Sequence, residues 1–223
     1  MNELSAFIEA NSLMLLEGIR DTLYMTFVST FAAYIFGIPI GILAEVTRKG
    51  GLHPMPLFNG ILGWIINIGR SIPFIILFVA VMPFTRKIVG TTIGPKAATV
   101  ALIIAAVPFV ARLVENSLLE VDSGTIEAAE AMGATSFQII WYFLLPEAMG
   151  SLVLSLTTAT IGLVGATAMA GTIGGGGIGD VAISYGYERF DTEVMIITVI
   201  LLIVFVQLIQ TIGNTLSRKV RRH

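Results

Sequence analysis

Between Asp21 and Glu45 the chain runs for 23 residues, Thr22 to Ala44, without a single charge. A helix of that length, rising 1.5 Å per residue, covers about 34 Å and so crosses a hydrocarbon core about 30 Å thick. Four further runs follow. Pro56 to Met82 is uncharged apart from Arg70, Ala97 to Ala111 is a shorter stretch extended by Leu113 and Val114, and Val194 to Ser217 is uninterrupted. Ala148 to Gly179 is uncharged for 32 residues, too many for one crossing, and is read as a helix with an irregular glycine-rich end. Five spans are therefore expected, near 20–45, 57–82, 96–114, 148–171 and 193–216.

The composition agrees. Hydrophobic residues make up 55% of the 223, charged residues 13%, and the mean hydropathy is +0.88; a soluble domain carries about 25% charged residues. The fold class expected is all-α and integral to a membrane, as one domain over 19–216. With no cysteine and only His53 and His223, no thiolate or histidine metal site and no catalytic triad is expected, so neither catalytic nor metal-ligating residues are assigned. A net charge of −2 argues against nucleic-acid binding.

Orientation follows the positive-inside tendency. The tail, residues 217–223, holds Arg218, Lys219, Arg221 and Arg222 beside the last span and is placed in the cytoplasm. Five spans then put the N-terminus outside, as an extracytoplasmic leader over 1–18 with acidic Glu3, Glu9 and Glu17. Arg48 and Lys49 fall inside; Arg86, Lys87 and Lys96 fall outside, against the tendency. Residues 1–19 lack the basic start of a signal peptide. Leu4, Phe7, Ile8, Leu15 and Ile19 form a broken apolar stripe, read as a flexible or surface-lying leader.

The anomaly is the segment 115–147. It is 33 residues long, without Lys or Arg, and carries Glu115, Glu120, Asp122, Glu127, Glu130 and Glu147. A cytoplasmic loop that ignores the positive-inside bias suggests a docking surface. Gly124 to Met132 is helix-forming, with Asp122 and Ser123 as candidate caps and Gly133 as its stop. Thr135 to Gln138 has capping-box spacing for a second helix, in which Phe137, Ile140, Trp141 and Leu144 would share one apolar face. Pro146 marks a bend or a fresh start.

Other features carry two readings each. Gly174-Gly-Gly-Gly-Ile-Gly179 satisfies G-x-G-x-x-G formally, but it follows an apolar helix rather than a strand and no Gly-Lys-Ser/Thr comes after it. Gly174 and Gly177 are read either as a gate at the mouth of a path or as a flexible loop. Gly162, Gly165, Ala166, Ala168, Ala170 and Gly171 make the fourth span small-sided, suiting close helix packing or a path that Thr167 and Met169 would also line. Arg70, alone inside a span, faces a watery path or snorkels to the headgroups.

Glu127-Ala-Ala-Glu-Ala-Met-Gly133 followed by Leu144-Leu-Pro146 resembles the EAA loop of the membrane subunits of bacterial ABC importers. The segments Arg70-Ser-Ile-Pro-Phe74, Pro108-Phe-Val-Ala-Arg112 with Glu115-Asn116, and Ala168-Met-Ala-Gly171 through Tyr185-Gly-Tyr187 look like the methionine-uptake branch. The resemblance implies a permease subunit of the bacterial plasma (inner) membrane, catalysing no reaction and needing no cofactor of its own, because ATP-Mg belongs to the partner. Two copies would line a path for D- and L-methionine. Two cytoplasmic ATPase subunits would each receive one short coupling helix through Glu127, Ala128, Ala129, Gly133, Leu145 and Pro146. An extracytoplasmic binding (lipo)protein would deliver substrate. The rivals are a permease for another small amino acid and a secondary transporter or channel. Paired intramembrane charges would favour the latter, and Arg70 stands alone.

Overall fold

A computed structural model describes residues 2–220, with side chains from Ser12 onward. Glu3, Leu4, Phe7, Ile8 and Glu9 of the expected leader and Arg221 and Arg222 of the basic tail lie outside the residues whose side chains are described. Nine α-helices and two π-turns are found among the described residues, and no strand. The helices are α1 (Asn2–Thr47), α2 (Pro56–Ser71), α3 (Phe74–Val89), α4 (Pro95–Leu119), α5 (Ser123–Ala131), α6 (Ser136–Ile139), α7 (Leu145–Gly171), α8 (Ile178–Val181) and α9 (Thr192–Val220). The π-turns are Ile140–Leu144, joining α6 to α7, and Ala182–Tyr187, following α8.

Four helical stretches are long and apolar enough to cross a membrane: Ser12–Thr47, Pro95–Leu119, Ser136–Gly171 and Thr192–Val220. A fifth crossing exists only if α2 and α3 are taken together as one broken span. The expected second span, 57–82, is thus interrupted. Pro73 has no N–H to continue the α2 ladder and disfavours helical backbone at Ile72, so α2 stops at Ser71 and α3 begins afresh at Phe74. Two other expectations change. The 1–18 leader is helical from Asn2 and runs without a break into the first span. The helical stretch that carries the fourth crossing is continuous from Ser136, ahead of the expected 148–171, because a π-turn before Pro146 keeps it unbroken. A widened turn relieves the clash that a proline ring makes with the carbonyl four residues back.

By contact density the chain forms two compact units. One is Met1–Phe31, Ile72–Ala105 and Ile161–Leu208; the other is Ala32–Ser71, Ala106–Thr160 and Ile209–His223. In the first, Leu15, Val181 and Val194 are buried together, with Met14, Tyr185, Ile197 and Leu201 packed round them. In the second, Ala44, Ile66 and Ala111 form the core, flanked by Ile40 and Leu62. Tyr34 Oη donates to Leu156 O at 2.6 Å and shares a hydrogen bond of 2.6 Å with Thr160 Oγ1. Ser217 Oγ donates to Gly150 O at 2.9 Å. Hydroxyls and small residues thus do the joining that apolar burial cannot supply in lipid.

One close helix approach in this unit is between α1 and α4. A Cβ at Gly41 would lie 2.6 Å from both Ala111 O and Val114 Cβ. Gly41→Leu is expected to cost about 1–3 kcal/mol through overpacking, lowering the thermal midpoint in detergent by about 2–4 °C per kcal/mol. Gly60→Ala, where a Cβ meets nothing within 4 Å, is the control that leaves the midpoint unmoved by contact.

Candidate functional site

The acidic loop is built by local signals. Asp122 is the N-cap of α5, its Oδ1 accepting from Gly124 N at 2.7 Å. Ala129 is fully buried and anchors the helix. Glu127, Ala128, Glu130, Ala131 and Met132 are exposed, with Glu127 and Glu130 on the side of α5 that borders a cavity toward the end of α1. Gly133 ends it at φ +79°, with its N–H donating to Glu130 O at 2.9 Å. Thr135 then opens α6 through a complete capping box with Gln138. Leu145 and Pro146 are the first two residues of α7, Leu145 half-buried and Pro146 exposed.

The expected apolar face of the second short helix is split. Ile139 and Leu144 are buried, whereas Phe137 is 68% and Trp141 55% exposed, their ring centroids 6.0 Å apart. Tyr142 and Met132 are also exposed. A turn wider than α shifts the phase of the residues beyond it, so a 100° wheel wrongly keeps Leu144 on the side of Phe137 and Trp141. The sequence reading therefore missed a group of one exposed methionine and three exposed aromatics beside α5.

In the same unit Arg70 is exposed in the last turn of α2 and makes no ion pair within 4.0 Å among the described residues. One turn earlier, Asn67 Oδ1 accepts from Arg112 Nη2 at 2.8 Å, and Arg112 Nη1 pairs with Glu115 Oε2 at 2.8 Å. Arg112 and Glu115 stand at i, i+3 on α4, a spacing that signals a pair in the sequence; Asn67 gave no such signal.

The other unit holds the remaining candidates. Gly162, Gly165 and Met169 are exposed on α7, spaced i, i+3, i+7 on one face. Thr167 does not join them. Two residues from either neighbour it points about 200° round the helix. It is 1% exposed, and its Oγ1 donates to Val164 O at 2.7 Å. The glycine run is packed rather than loose. Gly94 N donates to Gly174 O at 2.7 Å, Gly175 N to Ala170 O at 2.8 Å, and Ile178 N to Thr22 Oγ1 at 2.8 Å. Gly177 has φ +86° and ψ −176°, and is buried against Thr22 and Met25. Only the four-residue α8 follows it, so the strand–loop–long-helix setting of a dinucleotide site is not what surrounds these glycines.

Residues 37–222 match the family described as binding-protein-dependent transport system inner membrane component. The probable D-methionine transport system permease protein MetI of Vibrio cholerae serotype O1 is 49% identical over 219 residues, 98% of this chain and 97% of that protein. The D-methionine transport system permease protein MetI of Escherichia coli K12 is 51% identical over 158 residues, 71% of this chain and 73% of its own length. A chain in a solved structure of inward-facing conformations of the MetNI methionine ABC transporter superposes with a TM-score of 0.92 at 47% identity, covering 95% of this chain and 98% of that one.

Proposed function

The chain belongs to the family of binding-protein-dependent transport system inner membrane components, and from that premise we propose that it is the methionine permease of an ATP-driven importer. As a multi-pass permease subunit it performs no covalent chemistry. In this reading two copies form the path, two cytoplasmic ATPase subunits bind and hydrolyse ATP-Mg, and an external binding protein delivers D- or L-methionine. The 115–147 loop and the C-terminus then face the cytoplasm and the N-terminus faces out.

The observation that carries the reading is the surface around Gly133. Ala129 fixes α5, while Glu127, Ala128, Glu130, Ala131 and Met132 are exposed, next to exposed Phe137, Trp141 and Tyr142. Contiguous apolar surface on a segment outside the membrane marks a place that another protein covers, and aromatics with methionine are the enriched residues of such interfaces. Small side chains let a groove close on the helix, the helix-in-groove mode of recognition. Closure of the ATPase pair then displaces both coupling helices and shifts the permease between its states. The exposed face of Gly162, Gly165 and Met169 is the candidate wall of the path. Gly174 and Gly177 are the candidate gate, and Arg70 is the candidate partner for a substrate carboxylate. The uncharged run Ala148 to Gly179 offers no acid of its own to hold an ammonium, so tight binding is assigned to the external protein.

Co-expression with the ATPase tests this. Native mass spectrometry is expected to find two permeases with two ATPases, and proteoliposomes supplied with binding protein are expected to accumulate labelled methionine only with ATP. One permease per ATPase pair would refute the symmetric assembly. Uptake without the ATPase would make the chain a secondary transporter, and ATP-driven uptake of another amino acid in place of methionine would overturn the substrate.

A further inference from the structure

Across from α5 lies the end of α1, and a cavity of about 280 Å³ separates them. Its lining carries three carboxylates, Glu45, Glu127 and Glu130, and one cation, Arg48, over apolar residues that include Leu118 and Leu144. Glu45 is only 6% exposed, and its Oε2 is buried with no hydrogen-bond partner. Its Oε1 accepts from Arg48 Nε at 2.7 Å. The two terminal nitrogens of Arg48 bond nothing among the described residues, and the side chain is 39% exposed. An arginine with spare donors thus shares a cavity with two exposed carboxylates of the coupling helix.

The base under Arg48 is stiff. Gly51 N donates to Arg48 O at 2.9 Å, His53 N to Val46 O at 2.9 Å, and Met55 N to Thr47 O at 3.0 Å. Asn59 Nδ2 reaches back to Ala44 O at 2.6 Å. The end of α1 and the start of α2 therefore move as one piece, and Arg48 is their only cation in the cavity.

We propose that Arg48 is a positioning residue for coupling, a clasp between the first span and α5. In the state described it holds Glu45 alone. When α5 is pressed toward α1, the free nitrogens of the guanidinium take up Glu127 or Glu130, and one arginine bridges carboxylates on both walls. Without that cation, three carboxylates converging on one cavity repel each other. With it, closing the cavity is favourable, because a planar fork can serve two carboxylates at once. Displacement of the coupling helix is thereby passed to α1 as an ion-pair exchange. This rests on the reading of α5 as the ATPase-coupling helix.

The test uses the full permease–ATPase complex with its binding protein in proteoliposomes. Arg48→Gln is expected to lower methionine uptake per ATP hydrolysed by about tenfold, within the range of coupling between linked sites. Arg48→Lys keeps the charge without the fork and is expected to fall between. Because the chain has no cysteine, the pair Leu52→Cys with Ile126→Cys reports the width of the cavity while Arg48 stays in place. Cross-linking of that pair is expected to speed up on vanadate trapping, and to lose that response when Arg48→Gln is added. Normal uptake per ATP in Arg48→Gln, or cross-linking indifferent to trapping with Arg48 present, would overturn the clasp. Failure of the unsubstituted complex to import methionine would instead strike the functional reading on which it rests.

Discussion

Gly133→Pro is expected to cut ATP-driven uptake by roughly 100-fold while the spans still insert. Gly133 sits at φ +79° and its N–H donates to Glu130 O at 2.9 Å. Proline is confined near φ −65° and has no N–H, so the turn that stops α5 cannot form; the penalty is about 3 kcal/mol or more, and about 1.4 kcal/mol corresponds to each factor of ten. Gly133→Ala meets no neighbouring atom within 4 Å and bears only the left-handed backbone cost of about 1–2 kcal/mol, so its uptake should fall much less. Labelled-methionine uptake with both variants, beside membrane-fraction yields, checks the pair. Equal uptake by the proline variant and the parent would remove the turn from the coupling mechanism.

The second large effect is expected at Gly177. Its backbone, φ +86° with ψ −176°, is open to glycine alone. An added Cβ would lie 2.7 Å from Thr22 Oγ1 and 2.9 Å from Met25 Cε. Thr22 Oγ1 is also the acceptor for Ile178 N, so a side chain at 177 displaces the group that fixes the residue after it. Gly177→Val combines backbone strain of about 1–3 kcal/mol with overpacking of a similar size. A thermal midpoint lowered by ten degrees or more, with loss of uptake, is the expected result. Gly174→Asn is the contrast: Gly174 is exposed, its Cβ would meet only Ile93, at 3.7 Å and beyond, and asparagine tolerates positive φ. A stable, active Gly177→Val would show that the glycine run is spare chain.

What could be read in advance was whatever depends on the chain's own neighbours. Charge-free runs located the crossings because lipid penalises charge wherever it occurs. Asp122 and Gly133 marked the ends of α5, and the Thr135–Gln138 box the start of α6, because caps and left-handed stops are local chemistry. The break at Ile72–Pro73 was hidden, since proline inside an apolar run bends some helices and ends others. Phe137, Trp141 and Leu144 were expected on one face, but the π-turn at Ile140–Leu144 turns Leu144 into the core and leaves the other two exposed side by side. Thr167 and Met169 stand two residues apart, about 200° round the helix, so the angle alone separates buried Thr167 from exposed Met169. The reach of Arg112 to Asn67 and the cavity between Glu45 and α5 depend on how helices meet, and no spacing in the sequence encodes that.

The interruption at Pro73 also bears on how a cell keeps count of this protein. Pro73 offers no side-chain cap, and the first turn of α3 before Leu77 has no acceptor within its own helix, with Ile75 and Ile76 exposed. If the break lies within hydrocarbon, nothing there serves these amides, and each one left orphaned costs several kcal/mol. Water in a path or another chain must cover them. A copy left single in the bilayer would then carry poorly solvated backbone at the break, a place for local opening. Its lifetime would lengthen once it is assembled, and surplus copies would be cleared by the same chemistry that makes the break useful in a finished transporter.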